Sequence, residues 1–200
     1  MRNATVLVLV LLAAAARADE APGRLQLGVG AGVELPQITT ELGSALCASI
    51  EVGYRVWRNL SPFVAVGYSQ PPADHTGSDP RLSAVGYRSW TTQRELTITL
   101  GAMWRLRPPG SRVNAFGALG ARLYFLETMT GGSAGGRSFL DNRETSTRLG
   151  AAGAVGAELR LGPGAAVGAV EVGGSDLPHL ITGNVQTTAV SVEIGYRVFY

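Results

Sequence analysis

Side chains alternate with a period of two along residues 87–107. Leu96, Ile98, Leu100, Ala102, Trp104 and Leu106 share one face, and Glu95, Thr97, Thr99, Gly101, Met103 and Arg105 share the other. Such alternation predicts a β-strand lying between two unlike environments. The split recurs over 46–57, where Ile50, Val52, Tyr54 and Val56 oppose Ser49, Glu51, Gly53 and Arg55. Over 112–127, Leu119, Ala121, Leu123 and Phe125 oppose Ala118, Gly120 and Arg122. Over 143–161, Leu149, Ala151, Val155, Leu159 and Leu161 oppose Arg148, Gly150, Ala152, Ala154, Gly156, Glu158 and Arg160. One face is always apolar and moderately bulky; the other is tiny or charged. A soluble barrel turns its bulky apolar face inward, because a narrow interior must be filled. Here that would leave an outer wall of glycine and alanine dotted with isolated charges. The inverted arrangement suits both faces, with the apolar side toward lipid and the small and charged side toward a lumen.

Eight such strands are expected, at about 25–34, 46–57, 62–69, 87–107, 112–127, 143–161, 165–173 and 186–200. Their connections alternate strictly. "RNLS", "PPGS" and "GPG" are tight turns, whereas the loops at about 35–45, 70–86, 128–142 and 174–185 are long and polar. Membrane barrels show this asymmetry, with short periplasmic turns and longer external loops. Eight steps from Leu96 to Trp104 span about 20 Å of membrane at 3.3 Å per residue and a tilt near 40°. Arg94 closes the apolar band at one end. Tyr68, Trp90 and Phe125 are expected at the external interface, and Trp104 and Tyr200 at the periplasmic one. The predicted fold is all-β, an eight-stranded antiparallel up-and-down transmembrane β-barrel.

The first residues stand apart from that fold. Arg2, an apolar run from about Val6 to Ala16 and the small-residue site Ala16-Arg17-Ala18 form the pattern of a secretory signal peptide. The run is shorter than the ~20 residues a spanning helix needs. Cleavage near Ala18 leaves 19–200 as the barrel. Charged residues are 16% of the chain, against about 25% in soluble domains. The net charge of +2 gives no pointer to nucleic acid. The 27 glycines have no three-residue period, which excludes collagen. The single cysteine, Cys47, has no internal disulfide partner.

Parity places six acids and six arginines on the inward face: Glu34, Glu51, Arg55, Glu95, Arg105, Arg122, Arg148, Glu158, Arg160, Glu171, Glu193 and Arg197. The arginine fork suits two-point pairing with carboxylates. An eight-stranded barrel is only wide enough to be filled by side chains, so these residues are expected to form an internal ion-pair network, with a gate or narrow ion path as the alternative. No catalytic set is expected. His75 and His179 fall in external loops, and Ser78 near His75 lacks a placed carboxylate. Asp74, Asp79, Asp141 and Asp176 match no calcium-loop spacing. "GVGAG" after Leu27 lacks the phosphate-loop pattern. No metal or cofactor is expected. The strands over 87–161 exceed the ~9–11 residues a membrane requires, and are expected to project outside as a sheet with a free edge.

The final segment, "EIGYRVFY", carries Glu193, Gly195, Val198 and the terminal Tyr200. It resembles the carboxy-terminal assembly signal of bacterial outer-membrane β-barrel proteins, and the nearest architecture is the OmpA- and OmpX-like eight-stranded barrel. The resemblance implies a Gram-negative outer membrane, lipid around the wall and recognition by the barrel assembly machinery. It also implies an extracellular partner reached through the loops. The expected role is structural or adhesive at the cell surface. The rivals are a narrow pore or carrier for small solutes, a lipid-modifying enzyme and a secreted lipocalin-type barrel.

Overall fold

The computed structural model describes residues 24–36, 42–78, 86–108, 111–134, 137–176 and 186–200. The expected signal peptide and His179 lie outside them. Nine strands are present among these residues: β1 (Leu25–Pro36), β2 (Ala45–Tyr54), β3 (Leu60–Ser69), β4 (Pro72–Ser78), β5 (Gly86–Arg105), β6 (Val113–Ala134), β7 (Arg137–Leu161), β8 (Gly164–Asp176) and β9 (Gln186–Phe199). All pairings are antiparallel between neighbours, β1 pairs with β9, and β3 pairs with β5, so the sheet closes on itself. β3 and β4 lie in line along β5, with Ser69 opposite Glu95 and Pro72 opposite Thr92. Between them Gln93 donates its backbone N–H to the Pro71 carbonyl at 3.1 Å. The two therefore make one stave, and the barrel has the eight staves expected.

Closure reaches the last residue. Tyr200 N–H donates to the Leu25 carbonyl at 2.9 Å, and Leu25 N–H donates back to Tyr200 at 3.1 Å. Exposure follows parity along the wall. Leu100, Leu119, Leu149 and Ile194 are 65–75% exposed, while Met103, Phe116, Tyr124 and Leu126 on the opposite parity are buried. Val198 shares the strand parity of the exposed Ile194 and Tyr200, yet it is 1% exposed. It sits in register between Leu27 and Gly164, and the Tyr196 ring folds over Gly164 beside it, its hydroxyl donating to the Leu161 carbonyl at 2.6 Å.

The strands run further out than propensity indicates. Pro72–Ser78 is strand β4, not part of a loop, and it carries His75. β6 continues to Ala134 and β7 begins at Arg137, so most of the expected loop 128–142 is a paired hairpin. Its Gly-, Ser- and Thr-rich sequence is a weak strand former. The ladder to its neighbours overrides that preference, with one irregularity between Gly131 and Gly132. β8 likewise extends to Asp176.

Glycine makes room for aromatic rings inside the wall. A Cβ at Gly156 would lie 2.6 Å from the Phe116 ring and 2.5 Å from the Gly168 carbonyl oxygen, whereas a Cβ at Gly168 meets nothing within 4 Å. Gly156→Ala is therefore expected to lower folding stability by about 1–3 kcal/mol in urea unfolding from lipid vesicles, and Gly168→Ala to leave it nearly unchanged. Equal effects of the two would show that the ring contact does not set the cost.

Candidate functional site: the charged lumen

At the turn end of the lumen four staves contribute one connected knot. β5 supplies Arg105, β7 Glu158, β9 Arg197 and β2 Glu51. Arg105 donates from Nε and Nη2 to the two Glu158 oxygens at 2.9 and 3.0 Å. Its Nη1 reaches Ser61 Oγ at 3.0 Å, and Nη2 also reaches Gln26 Oε1 at 2.8 Å. Gln26 in turn donates to Ser61 at 2.8 Å. Arg197 forks onto Glu51 with two bonds of 3.0 Å and also bonds Glu158. Glu158 is thus shared by both arginines. The guanidinium of Arg105 lies 5.7 Å from the Phe199 ring centre, and that of Arg197 lies 5.4 Å from the Phe116 ring centre. Gln26, Ser61, Arg105, Glu158 and Arg197 are all at least nine-tenths buried. Two arginines and two glutamates leave the knot neutral.

The middle of the lumen is different. A cavity of about 140 Å³ is lined by Glu34, Glu95, Glu171 and Glu193 with Arg122 and small residues such as Gly28 and Gly30, and Glu51 and Arg197 of the knot also line it. Arg122 bonds Glu171 at 2.6 Å and Thr99 Oγ1 at 2.7 Å, and its guanidinium lies 5.9 Å from the Tyr124 ring. Glu193 accepts from Ser49 at 2.8 Å, with the Cys47 thiol 4.0 Å away. Toward the loops, Pro71, Gln93, Tyr124, Leu126 and Thr128 are buried, and Pro71, Gln93 and Tyr124 line a second, smaller cavity with Glu34, Glu95 and Glu171.

The twelve inward charges expected from parity are thus not one mixed network. Nine of them divide into the neutral knot and an acid-rich cavity. Arg148 is half-buried, opposite Tyr124, and its Nε finds no hydrogen-bond partner. Arg55 and Arg160 sit at the turn end, outside the knot. The inward rings Phe63, Phe116, Tyr124 and Phe199 were not singled out by the charge pattern, although their parity with Ala118, Gly120 and Arg122 or with Arg197 carries the information.

The outer wall shows where lipid ends. Tyr68, Leu96 and Phe125 stand in register across three staves. Just beyond them Glu127 bonds Arg143 at 2.6 Å and approaches Arg94 at 3.8 Å, a charged belt on the same wall. Trp90 is not level with Tyr68 and Phe125. It lies four residues past Arg94, its ring packed on Gly131. At the other rim Trp104 and Tyr200 are about half exposed, and they are joined by Trp57, which is 66% exposed.

A closed eight-stave sheet with an apolar outer band and a charged lumen is the arrangement of an outer-membrane barrel, and residues 4–197 match the family model of the outer membrane protein beta-barrel domain. The chain belongs to that family. Its barrel is similar in fold to a major outer membrane protein of Thermus thermophilus, at 14% identity and TM-score 0.57, over 88% of this chain and 99% of that one. It is also similar to Neisserial surface protein A, at 16% identity and TM-score 0.50, over 91% and 100% of the two chains. The third is the N-terminal β-barrel domain of Pseudomonas aeruginosa OprF, at 11% identity and TM-score 0.50, over 88% and 98%. No curated protein matches the chain. This outer-membrane barrel resides in the bacterial outer membrane, surrounded by lipid.

Glu158 is the hinge of the knot's charge balance. Glu158→Ala strands Arg105 and Arg197 together in a buried site. It is expected to destabilise the barrel by about 3–5 kcal/mol in urea unfolding from vesicles, whereas loss of an exposed pair such as Arg143–Glu127 costs about 1 kcal/mol or less. Similar losses for the two would show that the knot is not electrostatically coupled.

Proposed function

We propose that this barrel is a non-enzymatic surface protein whose lumen is plugged by the Arg105–Glu158–Arg197–Glu51 knot and whose projecting strands form its contact surface. The observation that carries the reading is the outer sheet. Past the charged belt of Arg94, Glu127 and Arg143, strands β4, β5, β6 and β7 continue as a paired sheet up to Ser78, Gly86, Ala134 and Arg137. β8 pairs with β7 only as far as Ala151, so among the described residues no strand pairs the other side of Arg137–Gly150. A free edge offers backbone donors and acceptors to an incoming strand. The terminal segment with Glu193, Gly195, Val198 and Tyr200 serves as the address for the assembly machinery.

The knot supports the plugged reading, because opening a path means breaking buried charge pairs. A narrow cation path is the second reading, favoured by the acid excess around the central cavity. Single-channel recording in planar bilayers separates them. The plugged barrel gives no steady open level, whereas a steady, cation-selective level transfers the function to transport. The contact surface is tested on cells. Replacing Thr128–Asn142 by a short turn is expected to reduce attachment of expressing cells to protein-coated and bare polystyrene several-fold, with heat-modifiable gel mobility showing that the barrel still assembles. Unchanged attachment with an assembled barrel overturns the role.

A further inference from the structure

All 17 basic residues of the chain are arginine. Six of them, Arg24, Arg55, Arg58, Arg107, Arg112 and Arg160, lie at the turn end. They follow the staves around the rim. Arg24 precedes β1, Arg55 follows β2, Arg58 precedes β3, Arg107 follows β5, Arg112 precedes β6 and Arg160 is the last residue but one of β7. Neighbours are close along the rim: Arg55 N–H bonds the Arg24 carbonyl at 2.8 Å, and Arg160 N–H bonds the Arg112 carbonyl at 2.9 Å. Arg24, Arg58, Arg107 and Arg112 are exposed. Among the described residues no carboxylate forms an ion pair with these four or with Arg160. Glu158, the nearest acidic side chain in β7, is already committed to Arg105 and Arg197.

We propose that this rim is a binding surface for the anionic headgroups of phospholipids in the periplasmic leaflet. Three observations support the assignment. Among the described residues no carboxylate side chain pairs with Arg24, Arg58, Arg107, Arg112 or Arg160, so these like charges crowd the rim unless anions from outside settle among them. The residue is always arginine, whose planar fork grips phosphate oxygens in two-point geometry. The height is right as well. Trp104 is exposed on the outer wall at this end and Trp57 in the turn between β2 and β3, and Arg58 and Arg107 follow Trp57 and Trp104 by one and three residues. Interfacial tryptophans sit at headgroup level, which places the guanidinium groups in the phosphate layer. A soluble polyanion would need no such aromatic ring beneath the charges.

The two rim tryptophans supply the assay. The full chain with Trp90→Phe is reconstituted in phosphatidylcholine vesicles containing either bromo-acyl phosphatidylglycerol or bromo-acyl phosphatidylcholine at equal mole fraction. Quenching of Trp57 and Trp104 then reports which lipid lies against the rim. The expected result is an enrichment of the anionic lipid by about threefold at low salt that falls toward unity at 0.5 M salt. Replacing Arg24, Arg58, Arg107 and Arg112 together by Gln is expected to abolish it. If that variant does not fold, Arg58→Gln and Arg107→Gln singly, both at exposed turn positions, are expected to reduce it in part. A wild-type ratio of one at low salt overturns the proposal. So does a ratio unaffected by salt and by the substitutions. Arginine-dependent binding of soluble heparin with no lipid preference reassigns the rim to a soluble polyanion and equally overturns it.

Discussion

The constraint on which everything else depends is that lipid offers no partner for a backbone N–H or C=O. A sheet in that medium must close, and here it closes through eleven register pairs between β1 and β9 and a final exchange between Leu25 and Tyr200. Closure with eight staves then fixes the width of the interior, and the width decides what can stand inside. Two large rings fit because the facing position is glycine, Phe116 against Gly156 and Phe63 against Gly101. The small residues of the inward face are thus a consequence of closure, not a loose choice of composition.

Within that narrow space a charge has little water, so it must be paired by protein. Arg105 shows how this is done. One guanidinium meets Glu158 twice, Ser61 once and Gln26 once, from positions on four different staves. An ammonium offers three donors in no fixed plane and would not span those acceptors. The use of arginine throughout the chain matches this demand. The knot also ties the closing strand β9 to β2 and β7, across the barrel from their own neighbours, so the same residues stiffen the wall and fill it.

Much of this was legible in the sequence, and the reason is the two-residue period of a strand. Parity placed Leu100 and Ile194 outside and Arg105 and Arg197 inside, and the short and long connections gave the number of staves. Parity does not carry register, however. Nothing in the order of residues says that Glu158 meets two arginines while Arg148 meets no carboxylate among the described residues, because that depends on the stagger of strands around a closed sheet. The same gap hid the separation of a neutral knot from an acid-rich cavity. Propensity misled at Gly131–Ala134, where a glycine-rich stretch reads as loop yet is held as strand by its neighbours. Trp90 misled in a related way: an exposed tryptophan reads as an interface anchor, but its height relative to Tyr68 and Phe125 depends on register, which sets Leu96 and not Trp90 level with them.

Taken along the barrel axis, the charges form layers. A rim of arginines lies at the turns, a neutral knot above it, and four glutamates with one arginine above that. Opposite charges separated along a narrow, water-poor axis attract across it more strongly than they would in bulk solvent. A cation entering from the turn end would first cross the rim arginines and then have to part the knot. At the loop end a smaller cavity, lined by Pro71, Gln93 and Tyr124, already includes Glu34, Glu95 and Glu171 in its wall. The ordering of the layers thus opposes passage from the turn end even though the central cavity itself suits a positive charge. That separates where a cation would rest from whether one could travel through.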